Sequence, residues 1–138
     1  MEVRKTANLI LLGFVVISFF FHTEKMIFGS PATAANFLVT AGVILFWFAF
    51  LPLNKNKNAL KYVAIISVIA FISGLLIFFA VSFESFNFDW AIPLSFVLIP
   101  FYGLDWLFND FRYTSLAIAV ICGVWLVSYM ISQRVKNQ

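Results

Sequence analysis

The side chains able to do chemistry in this sequence are few and widely spaced. Six Asp and Glu, nine Lys and Arg, one His and one Cys are spread over 138 residues. The most suggestive is Asp105, in FDWAIPLSFVLIPFYGLDWLFNDFRY, residues 88–113, which writes Asp-Trp at positions 89–90 and again at 105–106. An ionisable group inside an apolar run is a functional candidate by default, here as part of an ion or proton site or as the partner of Arg112. The plainer reading has Asp105 capping a helix end in interfacial water. The two Asp-Trp copies are sixteen residues apart, about 24 Å along a helix, so they cannot act on one substrate atom.

The other reactive groups do not converge. His22 and Glu24 are too few for a metal centre, which takes three or four ligands; His22 is expected at a membrane interface, where its ordinary pKa makes it the side chain that senses mild acid. Cys122 stands in mid-run, which excludes an intramolecular disulfide, a CxxC pair and a thiolate zinc site. No base lies within helical reach of it to make a catalytic thiolate. Asp110 and Arg112 in NDFRY read as turn-forming residues, either as a loop ion pair or in contact with lipid headgroups. Ser-His-Asp sets, HExxH, GxxxxGK[ST] and paired haem histidines are absent from the sequence, so it predicts no enzyme and no cofactor or metal.

What must position these residues is a lipid-embedded bundle. The chain is 63% apolar, 20% aromatic and 11% charged, against about 25% charged in an ordinary soluble domain. A globule of this size still exposes about a third of its unfolded surface and cannot hide so much Phe, Leu, Ile and Val from water. The net charge of +3 sits in clusters at segment ends, which argues against nucleic acid and for topology signals.

Five apolar segments are expected, at about 6–23, 31–53, 59–83, 90–108 and 115–132, in one all-α integral membrane domain spanning 1–138. Ala32-Thr33-Ala34 mimics a signal cleavage site but lies too far beyond the first apolar run to serve as one. Ser30-Pro31 offers an N-cap and a first-turn proline for the second helix. Ala35, Gly42 and Ala49 recur every seven residues, Ala70 and Gly74 form a small-xxx-small pair, and Ser115, Ala119 and Gly123 repeat every four. Such faces let helix backbones approach closely in lipid. Unbroken apolar runs of this kind do not fit the alternation of a β-barrel.

The fourth segment decides the topology. If 90–108 crosses, a cytoplasmic N-terminus puts Arg4, Lys5, Lys55, Lys57, Lys61 and Arg112 inside and Lys25, Arg134 and Lys136 outside. If it dips in and returns, Arg112 moves out, Arg134 and Lys136 move in, and Glu24, Glu84, Asp89, Asp105 and Asp110 all fall outside. Charge favours the second arrangement by one basic residue. Length favours the first, because Ala91–Phe108 is long enough to span and Trp90 and Trp106 stand where two aromatic belts belong. Re-entrant backbone also needs protein cover, which a bundle this small offers little of. The expectation is therefore five spanning helices, with four plus a re-entrant segment as the alternative, and with Pro100 and Gly103 kinking the fourth.

Function is then narrowed mainly by exclusion. The leading expectation is a small bacterial-type, multi-pass inner-membrane protein that works by association, as an accessory or regulatory subunit or an immunity-like factor, with another membrane protein or a second copy as partner. The alternative is an oligomeric small transporter or channel with a path near Pro100, Gly103 and Asp105. Lys55, Lys57 and Lys61 are expected to fix orientation and touch anionic lipid headgroups.

Overall fold

A computed structural model describes residues 2–54, 56–83 and 91–136. Four helices in it are long and apolar enough to cross a bilayer: α1 (Glu2–Ile27), α2 (Ala34–Leu53), α3 (Lys57–Ser82) and α6 (Phe111–Lys136). Between α3 and α6 lie α4 (Ala91–Leu98), a 3-10 helix (Ile99–Leu104) and the single turn α5 (Asp105–Phe108).

Local chemistry sets the ends. The second helix starts later than Ser30-Pro31 suggests, at Ala34, because Asn36 reaches back: its Oδ1 accepts from the Thr33 N–H at 2.9 Å and the Thr33 hydroxyl at 2.6 Å. α1 stops at Gly29, whose φ of 63° is the left-handed turn glycine tolerates, and the Ser30 N–H closes back on the Lys25 carbonyl at 2.9 Å. In the Asn-Lys cluster, Asn56 caps α3 by accepting from the Asn58 and Ala59 N–H groups, while Lys57 and Lys61 are exposed; Lys55 lies outside the described residues.

The four long helices alternate in direction. His22 near the end of α1 meets Asn36 near the start of α2, and Phe14 stacks on Phe46 further along. Trp47 of α2 donates to Ser67 of α3. Gly74 of α3 lies against Ser115 and Ala119 of α6, and Phe71 against Gly123, so numbers rise on one helix as they fall on the other. The chain therefore leaves α3 and enters α6 at the same end of the bundle.

The expectation of a fifth spanning helix over 90–108 is met by no fifth long helix among the described residues, only by a shorter apolar helical run. The described part of that segment enters and leaves at one end, and its helices are eight, six and four residues long. All six residues of the 3-10 helix are buried. Leu98, Phe101 and Leu104 join Val43, Ala70, Ile77, Ile118 and Cys122 in the larger core cluster. At the segment's deepest point the Phe101 ring meets the edge of Trp47, which in turn lies against Trp125. The second cluster, around Leu11, Phe50, Leu60 and Val63, continues from those indoles toward the other end. Trp106 is half-exposed beside Phe37, and Trp90 lies outside the described residues.

Small residues are used inside the chain. A Cβ added to Gly74 would stand 2.7 Å from the Ser115 carbonyl oxygen, so Gly74→Ala is expected to force α3 and α6 apart at a cost of about 1–3 kcal/mol. The midpoint of thermal unfolding in detergent measures it. Gly42 faces the Phe14 ring and Gly123 the Phe71 ring; Ala70 is buried, Ala49 half-buried and Ala35 exposed, so the α2 stripe is not one continuous packing seam.

Candidate functional site

The 3-10 helix interrupts the α-helical ladder and needs other partners for its backbone, and polar side chains of α1 and α2 supply them. Pro100 has no N–H, and its carbonyl accepts from the Ser18 hydroxyl at 2.8 Å and the Thr40 hydroxyl at 3.3 Å. The Gly103 N–H donates to Thr40 Oγ1 at 3.1 Å. Ser18 and His22 are one helical turn apart on α1, as are Asn36 and Thr40 on α2, so each pair shares one face. All four are fully buried.

His22, expected at an interface, is instead 0% exposed and stands in the middle of this seam. Its Nε2 lies 3.2 Å from the Asn36 carbonyl oxygen and its Nδ1 3.1 Å from Ser18 Oγ. A carbonyl only accepts, so Nε2 carries a proton. A neutral ring then takes the Ser18 proton on Nδ1 and leaves the Pro100 carbonyl to Thr40. A charged ring donates to Ser18 and frees that hydroxyl for Pro100. The Tyr102 ring closes over the imidazole edge-on, its own hydroxyl donating to the Ser30 carbonyl at 2.9 Å.

Above the seam is a cleft of about 640 Å³. Its rim includes the exposed Gly29 and Asn109, and its walls come from α1, α3, α4, the 3-10 helix and the start of α6. Asp105, half-buried at the first position of α5, faces this cleft and accepts from the Thr114 hydroxyl at 3.0 Å. No ion pair to it is found among the described residues. Arg112, one candidate partner from the sequence, turns to Asp110, with Nη2 at 2.6 Å from Oδ2.

That pair sits at the start of α6, with both side chains partly exposed. The Arg112 guanidinium, bonded to the Asp110 carboxylate, holds its pKa below the usual carboxylate range. A lowered folded-state pKa adds stability above the ordinary value and loses it as pH falls through the lowered one. Asp110→Asn is therefore expected to flatten the acid limb of a stability-versus-pH curve slightly and leave neutral pH nearly unchanged, as thermal melts at stepped pH would show.

Sequence reasoning singled out Pro100, Gly103 and Asp105 and missed Ser18, Asn36, Thr40 and Tyr102. A signal existed: two polar residues four apart on each of two otherwise apolar helices mark faces that must meet other polar groups. No known protein family, curated protein or solved structure matches this chain.

Proposed function

We propose that this chain is a four-crossing integral membrane protein in which the segment around Pro100 and Gly103 is re-entrant and floors a one-sided chamber for a small solute, as in a small transporter or channel. Two features support membrane insertion. The helices carry large exposed apolar side chains such as Phe20, Leu38 and Leu45, while Ser18, His22, Asn36, Thr40, Ser67 and Thr114 are buried; a water-soluble bundle has the reverse arrangement. The twenty residues of α2 extend about 30 Å, the thickness of a hydrocarbon core. Four crossings place both termini on one side, with Arg4, Lys5, Lys55, Lys57, Lys61, Arg134 and Lys136 in the cytoplasm and Lys25 and Arg112 outside.

The observation that carries the solute reading is the buried 3-10 helix lining a cleft whose Asp105 carboxylate has no ion pair among the described residues. Broken backbone at membrane depth persists where it is buried in protein or lines a cavity, and it is a recurrent way of building transport sites. Asp105→Asn is expected to abolish potential-driven cation uptake into proteoliposomes. Absence of flux in the parent protein, or flux unchanged by the substitution, would contradict the reading. Association with a larger complex is less favoured, because the small-residue faces at Gly42, Ala70, Gly74, Ser115, Ala119 and Gly123 pack within the chain.

A further inference from the structure

We propose that the cleft binds a monovalent organic cation, with its ammonium group between the Asp105 carboxylate and the rings of Tyr102 and Phe111. This rests on the chamber reading above and names its ligand class. The cleft volume of about 640 Å³ is in the range of small-molecule sites. Ile77, Phe96 and Ile99 give it apolar walls, which suits a hydrocarbon or aromatic body.

Charge selects the other half of the ligand. Among the described residues two carboxylates line the cleft, and Asp110 is paired with Arg112, which leaves Asp105 without an ion pair among them. Its described partner is a neutral hydroxyl, Thr114. A half-buried carboxylate with no ion pair favours a cationic partner, and here a ligand supplies it. The Tyr102 and Phe111 rings stand 6.3 Å apart and tilted by 52°, and the Tyr102 hydroxyl bond to Ser30 fixes that ring beforehand. Both rings line the cleft, and aromatic rings favour a soft, weakly hydrated cation. A hard inorganic cation takes six or more oxygen ligands, which suits this wall poorly.

The test is titration calorimetry of the full chain in dodecyl maltoside with benzyltrimethylammonium and with its uncharged isostere neopentylbenzene. The ammonium is expected to bind saturably, one per chain, and the isostere at least tenfold more weakly. Asp105→Asn should lose at least tenfold in affinity, Phe111→Leu severalfold, and Asp105→Glu should retain most binding. Equal binding of the isostere, no effect of Asp105→Asn in a variant that keeps the parent melting temperature, or one-for-one displacement by sodium would overturn the assignment. So would displacement by added phosphatidylethanolamine, which would make the occupant a lipid headgroup. If Asp105→Asn fails to fold, the isostere and the two other variants still decide. Calorimetry needs no transport, so flux without ammonium binding sinks the cation assignment alone, and binding without flux sinks the transport reading alone.

Discussion

Replacing Gly103 by alanine is expected to be among the most damaging single-methyl additions to this protein. A Cβ at that position collides with the backbone carbonyl of Asn36 and lies 2.5 Å from Thr40 Oγ1, so two elements of the seam are struck at once. Neither neighbour is the free end of a flexible side chain. The 3-10 helix must move away from α2, and the Gly103 N–H then loses its acceptor. Overpacking of a filled interior costs about 1–3 kcal/mol and an orphaned buried donor a further 1–3 kcal/mol or so. Gly13, which has nothing within 4 Å of an added Cβ, is the control. Gly13→Ala should melt with the parent in detergent, and Gly103→Ala well below it. Equal melting temperatures for the two would mean that the 3-10 helix does not press on α2.

The second large effect concerns the shared acceptor. Two hydroxyls lie within hydrogen-bond distance of the Pro100 carbonyl, so Ser18→Ala leaves it with Thr40 and should cost little. Thr40→Val removes a donor to Pro100 and the acceptor of Gly103 together, an expected loss of about 1–3 kcal/mol, whereas Thr40→Ser keeps both. The double variant Ser18→Ala, Thr40→Val leaves that carbonyl bare in a bundle interior. Its destabilisation should exceed the sum of the singles by roughly 1 kcal/mol or more, because residues that share a partner couple. Denaturation of the four variants in one detergent gives the coupling, and strict additivity would show that the two hydroxyls do not serve the same oxygen.

Why the long helices are legible in the sequence and the packing of segment 91–108 is not follows from what hydropathy measures. It scores side chains, and α1, α2, α3 and α6 differ from water-soluble helices in their side chains. The segment 91–108 is as apolar as a span; what distinguishes it is where its backbone hydrogen bonds go. Pro100 and Gly103 announce the break, but the cover that makes a break tolerable comes from Ser18 and Thr40, sixty and more positions away. The fourfold spacing of Ser18 with His22, and of Asn36 with Thr40, is the local trace of that cover. Asp105 could be picked out as a charge in an apolar run, yet its separation from Arg112 depends on the left-handed turn at Asn109, with φ of 48°, after which Asp110 takes the guanidinium. His22 shows the same limit: a histidine near the end of an apolar run looks interfacial until a third element is known to lie over it.

The proposed chamber requires the chain to enter and leave segment 91–108 at one end. The most direct measurement is the side of the membrane on which the C-terminus lies, read with a reporter fused after Gln138, together with labelling of an Asn109→Cys variant by a membrane-impermeant maleimide. Four crossings require a cytoplasmic C-terminus, on the same side as the N-terminus, and a thiol at position 109 that is labelled from the exterior. An exterior C-terminus, with that thiol reached only from the cytoplasm, would make 90–108 a fifth crossing and would contradict the chamber and the ligand assigned to it.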